Sequence, residues 1–201
     1  MSGSSFLLKN AGGEDILTYC FLDSDYHHNE QIDARYTEAK THGVELHIWS
    51  RKGIENFLLV PSAIQRVIAF GCKGHKTPPT VEEVEEETNQ IAESLRDEIF
   101  DCLCTEFATN KALAAGTANK RARERLTEAW KTLEGRISLV PGKQMVSALS
   151  GWSQKNFSAS FNATKLASSL QATEIHPEIR AVVEAIENHE PFPRRQSKKT
   201  A

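Results

Sequence analysis

The stretch from Cys20 to Leu59 constrains the fold more than any other part of the chain. An apolar, β-prone run, Ile16 to Leu22, ends in Asp23-Ser24-Asp25. A helical segment follows over Glu30 to Thr41, then Gly43, then a second β-prone run over Val44 to Trp49. Strand, helix and strand in so short a span make a β-α-β unit, whose two strands lie parallel. Residues two apart on a strand face the same way, so Asp23 and Asp25 present two carboxylates together if the backbone stays extended. Like charges that close raise each other's pKa unless a cation lies between them. An oxygen-only pair suits Mg²⁺ or Mn²⁺, which take one or two protein carboxylates and complete their shell with water and phosphate oxygens. Asp, Ser and Asp are also ordinary turn formers, so the tripeptide alone fits a polar loop.

After the second run comes Ser50-Arg51-Lys52-Gly53-Ile54-Glu55-Asn56-Phe57-Leu58-Leu59. The two motifs in this order resemble the TOPRIM domain of the OLD (overcoming lysogenisation defect) nucleases and related ATPase-linked TOPRIM proteins. In that group a strand ends in Asp-x-Asp, and the next runs into Arg-x-x-Ile-Glu-Asn-aromatic-Leu. The resemblance covers Asp15 to Val67 and, more loosely, Gly142-Lys143, where relatives open a helix near the end of the domain. It implies a metal-dependent endonuclease acting on DNA, of the kind used in phage defence, with an ATPase as partner. It makes Asp23 and Asp25 ligands of Mg²⁺ or Mn²⁺, and Glu55 a further acidic ligand or a water-positioning group. Arg51 becomes a phosphate contact, and Lys143 the cation that neutralises charge developing on the scissile phosphate. Glu55-Asn56 is equally what the first turn of a helix carries, and Lys143 equally a surface lysine after a turn. His27, just past the acidic pair, is a further candidate ligand.

The chain departs from the group in three ways. Relatives often carry a second acid where this sequence has Gly53. A complete TOPRIM fold opens with a strand, a Glu-bearing turn and a helix, whereas here Gly12-Gly13-Glu14-Asp15 runs straight into the Ile16 to Leu22 strand. Glu14 sits at the far end of that strand from Asp23, on the order of 20 Å away at about 3.3 Å per residue. Nor does any Gly-rich phosphate loop with Lys-Ser/Thr occur, since Gly142-Lys143 is followed by Gln144. The expectation is a TOPRIM-type endonuclease fragment, the C-terminal part of the domain, whose activity on its own is open to question because the opening Glu strand and the ATPase half are absent. The alternative is a non-catalytic TOPRIM remnant that binds DNA or a partner ATPase.

The fold class expected is α/β, a partial TOPRIM-like (Rossmann-like) parallel sheet followed by a mostly helical C-terminal region. The divisions are a flexible start (1–13), an α/β core (14–75), a helical region packing on it (76–190) and a disordered basic tail (191–201). Pro61 to Phe70 opens with Pro at a helix start and spaces Ile64, Val67 and Ile68 for one face. Thr80, with Glu83 three residues on, caps a long helix whose stripe runs Val84, Ile91, Leu95, Ile99, Leu103, Phe107. Its acidic cluster, Glu82 to Glu87, is a solvated face near the positive end of the helix dipole. Lys111 to Gly135 is a second helix, interrupted by Gly116, whose Lys120, Arg121, Arg123 and Arg125 are candidate DNA-phosphate contacts. Ile137 to Lys143 reads as a short strand and turn leading into a helix over Gln144 to Lys155. Short helices follow over Phe161 to Leu170 and Pro177 to Asn188.

A net charge of -3 gives no general attraction to nucleic acid, so any such contact needs a local patch. The four cysteines, Cys20, Cys72, Cys102 and Cys104, form no paired framework and read as reduced thiols of a cytoplasmic protein. The start MSGSSFLLKN is too polar for a signal or a membrane span.

Overall fold

The β-α-β unit forms as its pattern requires. The computed structural model describes residues 18–72, 76–109 and 115–193, so Glu14, Ile16, Leu17, the first 13 residues and the tail beyond Pro193 lie outside the described residues. Strand β1 (Thr18–Leu22) pairs in parallel with β2 (Val44–Ile48), in register from Thr18 opposite Val44 to Leu22 opposite Ile48. Between them runs α1 (Asn29–Thr41), whose start is closed by the Gln31 side chain accepting from His28 N–H at 3.0 Å. Gly43, at φ +66°, turns the chain from α1 into β2, a left-handed conformation that a residue with a Cβ resists.

The sheet carries apolar residues on both faces. On one, Ile32, Tyr36 and Ala39 of α1 pack on Cys20, Leu22, Leu46 and Ile48. On the other lie Trp49, Phe57 and Tyr19 against Val182 and Ala185 of the last helix, α9 (Pro177–Glu187). β2 reads Val-Glu-Leu-His-Ile, alternating rather than continuously apolar, and Phe21 of β1 stays 40% exposed, so the second face is covered only in part. Glu178, in the first turn of α9, accepts from His47 Nε2 at 2.9 Å, from Ser50 N at 2.8 Å and from the Ser50 hydroxyl. Burial opposes its charge, but those hydrogen bonds outweigh it and hold its pKa below the ordinary value.

The remaining helices build a second, larger core. A 3-10 turn (Ile54–Leu58) leads into α2 (Pro61–Cys72), followed by α3 (Val81–Ser94), α4 (Arg96–Ala108), α5 (Ala115–Ala129), α6 (Leu133–Leu139), α7 (Gly142–Phe157) and α8 (Ala163–Ser169). Ile64 and Ile68 of α2 meet Val84, Ile99, Leu103, Met145, Leu149 and Leu166 in one buried cluster. The architecture is therefore α/β, a small parallel sheet with a mostly helical remainder. Among the described residues, no helix is long and apolar enough to cross a membrane. All four cysteines are unpaired.

Several boundaries differ from those the sequence implies. The long helix opened by Thr80 is two helices. Thr80 caps α3 through Glu83 as expected, but at Leu95 the N–H turns back to Ala92 O (3.2 Å) before α4 continues the same buried stripe. Gly116 does not interrupt α5 but lies in its first turn, and the helix ends at Ala129 rather than Gly135. Lys111 to Ala114 lie outside the described residues. The strand expected over Ile137 to Val140 is instead the end of α6, started by Thr132, whose hydroxyl accepts from Gly135 N at 3.0 Å. Ile137, Leu139 and Val140 are all buried, and a short apolar run of that kind has no period to tell strand from buried helix.

The C-terminal region is tied to α2 by an ion pair. Arg66 grips the Glu174 carboxylate, Ser62 donates to the same group at 2.5 Å, and the Arg66 contact holds its pKa at about 2. A depressed carboxylate pKa stabilises the fold above the unfolded value and ceases to do so as pH falls through the folded one. Glu174→Gln should therefore lower the denaturation free energy by about 1–2 kcal/mol at neutral pH. In denaturant titrations the gap between variant and wild type should close as pH drops from 4.5 toward 2.

Candidate functional site

The candidate site lies where both strands end, at the carboxyl edge of the parallel sheet, the usual ligand side of such sheets. Trp49 N–H still donates to Leu22 O (3.1 Å), continuing the ladder one step. Beyond it the two loops are stitched together: Ser24 Oγ donates to Arg51 O at 2.7 Å, and Asp25 N–H to Lys52 O at 3.0 Å. Asp25 has φ +45°, so the backbone does not stay extended through the acidic pair. The two carboxylates consequently part company. Asp25 turns to Lys52, whose ammonium lies 3.2 Å from Oδ1 and 4.5 Å above the Tyr26 ring. Asp23 turns to the next loop, where its Oδ1 accepts from Ile54 N–H at 3.2 Å.

Glu55 joins Asp23 there. A methyl group at Gly53 would lie 3.3 Å from Asp23 Oδ2 and 3.4 Å from Glu55 Oε2, so both oxygens flank one point. Gly53 is extended (φ -151°), and what a side chain at this position would cost is the space between the two acids. Lys143 arrives from the first turn of α7, with Nζ 3.6 Å from Glu55 Oε1 and its side chain 83% exposed. Asp23, Glu55 and Lys143 therefore meet, while Asp25 stands apart with Lys52.

Two residues bring these elements together. Asn56 has no exposed surface; its Oδ1 accepts from Gly53 N–H at 3.1 Å, and its Nδ2 donates to Ile137 O and Val140 O at 2.6 and 2.7 Å. Gly142 packs directly on it, since a Cβ there would stand 2.7 Å from Asn56 Oδ1 and 3.0 Å from Glu55 Cβ. Neither role is visible in the sequence, where Asn56 is part of a motif and Gly142 part of a turn.

The other expected site residues lie elsewhere. Arg51, expected to meet phosphate, is 7% exposed; it donates to Asn56 O and Glu134 at 2.5 Å each and stacks on Phe57 at 4.7 Å. Its motif position gives no sign of this, because Glu134 comes from a distant helix. His27 accepts at Nε2 from Arg35 (2.9 Å), which can only donate, and so donates from Nδ1 to Glu106 (3.0 Å). It is thus committed away from the acids.

On α5, Lys120 and Arg121 form long pairs with Glu124 and Glu30, each 3.9 Å. Arg123 covers the Phe100 ring at 5.6 Å. Arg125 donates to Tyr26 O at 3.0 Å, bracing the loop after the acidic pair. Arg125 is thus engaged within the protein, while Lys120, Arg121 and Arg123 remain exposed.

Among the described residues, no group of three or more His, Cys, Asp or Glu side chains is arranged to hold a metal. Two convergent carboxylates nonetheless fit the one or two that Mg²⁺ or Mn²⁺ takes from a protein, the rest coming from water and substrate oxygens. No family model, no curated protein and no solved structure matches the chain.

Asn56 offers a direct check of this construction. Asn56→Asp keeps the shape and the Gly53 N–H bond but sets an oxygen against the carbonyls of Ile137 and Val140, leaving a buried charge with a single donor. Denaturant titration should show a loss of about 3 kcal/mol or more, whereas the exposed Lys143→Ala should change stability by less than about 0.5 kcal/mol.

Proposed function

We propose that the chain is a TOPRIM-type, metal-dependent phosphodiesterase that cleaves DNA. The observation that carries this reading is the meeting of Asp23, Glu55 and Lys143, from three separate elements, at the carboxyl edge of the sheet. Asp23 and Glu55 would hold Mg²⁺ or Mn²⁺. When bound, such an ion polarises a phosphoryl oxygen and makes a nucleophile of its water.

The chain's own groups prepare for that. Ile54 N–H fixes one oxygen of Asp23, so the carboxylate is oriented before any ligand arrives. Glu55 is 20% exposed, close enough to the surface to position a water and buried enough to be held by its neighbours. Lys143 pairs with Glu55 on one side and faces solvent on the other. It carries positive charge to where a phosphate would enter, and it stabilises negative charge that grows there. A cytoplasmic setting, the OLD-type affiliation and an ATPase partner are the finer parts of the same reading, and the motif resemblance alone supports them.

The second reading is a non-catalytic remnant that binds DNA or an ATPase. The pairing of Asp25 with Lys52 favours it, because only two carboxylates then remain at the site. Plasmid-nicking assays separate the two. With Mg²⁺ or Mn²⁺, nicking should fall to background in Asp23→Asn and Glu55→Gln, and by on the order of 100-fold in Lys143→Met. Asp25→Asn should retain measurable activity. Nicking indifferent to Asp23 and Glu55 contradicts the first reading; salt-sensitive DNA binding without cleavage in any divalent ion favours the second.

A further inference from the structure

The sheet has an edge that the acidic site does not use. Backbone groups alternate across a strand, and the Trp49 N–H bond to Leu22 O sets the phase. Glu45 and His47 turn their backbone groups toward β1, while Val44, Leu46 and Ile48 turn theirs outward. Ile48 N–H accordingly finds the Tyr36 hydroxyl on α1, at 3.2 Å. Among the described residues, no strand pairs with this outer edge.

The edge is recessed. It borders a groove of about 860 Å³, walled by α1 on one side and by Pro191-Phe192-Pro193 on the other. A second folded copy would present its own edge behind the same walls, so two such edges cannot meet, but a single extended chain can enter. Ile32, Leu46 and Phe192 make the groove apolar, and Asp33 and Glu45 outnumber Lys40 in lining it. Its chemistry thus asks for main-chain hydrogen-bonding groups, alternate apolar side chains and a positive charge.

We propose that the outer edge of β2 is a strand-addition site for an extended segment of another protein, apolar at alternate positions and carrying basic residues between them. The main chain of that segment pairs with Val44 and Leu46, its apolar side chains face Ile32 and Leu46 on the α1 side, and its basic side chains meet Glu45 on the other side. The Tyr36 hydroxyl closes the edge at Ile48, which confines the added strand to the Gly43 end of the groove. This assignment is independent of the metal reading.

The probe is a fluorescein-labelled heptapeptide of alternating valine and lysine, titrated with the full chain and read by anisotropy. Saturable binding is expected, and the same peptide N-methylated at alternate residues should not bind. Leu46→Pro should abolish binding, because the N–H it removes points away from β1, while the lost buried side chain lowers the melting temperature. Should that variant fail to fold, Tyr36→Phe decides, since it frees Ile48 N–H and should tighten binding several-fold. Glu45→Gln should weaken binding several-fold. Binding unaffected by N-methylation reduces the groove to a charge attraction and overturns the proposal. Absence of saturable binding overturns it too, as does a dimer of the chain, seen by light scattering, that Leu46→Pro dissociates.

Discussion

The buried carboxamide of Asn56 is the interaction on which the arrangement at the sheet's end depends. A polar side chain with no exposed surface has to satisfy its donors and acceptors inside the protein or cost the fold several kcal/mol. Asn56 does so with three partners on two elements: Gly53 N–H in the acidic loop, and the carbonyls of Ile137 and Val140. Those carbonyls belong to the end of α6, where the last C=O groups of a helix lack partners of their own. One amide therefore caps a helix and anchors the loop that bears Glu55. The missing side chain of Gly142 then lets α7 start against that amide, which delivers Lys143 to Glu55.

Around this staple, neighbouring residues with the same charge have opposite tasks. Arg51 points inward, stacks on Phe57 and pairs with Glu134, so its guanidinium belongs to the packing between the loop and α6. A planar cation with several donors suits such a place better than an ammonium. Lys52 points outward to Asp25 and Tyr26, while its N–H donates to Ser138 O at 2.8 Å. Arg125 repeats the inward pattern from α5, holding Tyr26 O. Tyr26 in turn donates its hydroxyl to Leu139 O at 3.1 Å, and burial pushes its pKa well up. The loops at the sheet's end are thus held from several sides before any ligand is present, which is what a site that must orient carboxylates requires.

Much of this was legible because it is local. The β-α-β order, Gly43, the proline opening α2, the Thr80–Glu83 box and the Pro177 start of α9 all depend on residues within a few positions of each other. The buried stripe from Val84 to Phe107 was legible even though the helix carrying it breaks at Leu95. What the sequence could not reveal depends on distant partners. The inward turn of Arg51 needs Glu134, and the separation of Asp23 from Asp25 needs Lys52 and the left-handed backbone at Asp25. The short apolar run ending α6 carries no periodicity at all. The proximity of Lys143 to Glu55 came from motif resemblance, and no spacing rule would have supplied it.

The most direct test of the central claim is calorimetric titration of Mn²⁺ into the wild-type chain and into the Asp23→Asn and Glu55→Gln variants. The account predicts saturable binding in the wild type that is lost in each variant, because the two carboxylates flank one point and hold the ion together. Binding that survives both substitutions, or no binding in the wild type, would contradict it.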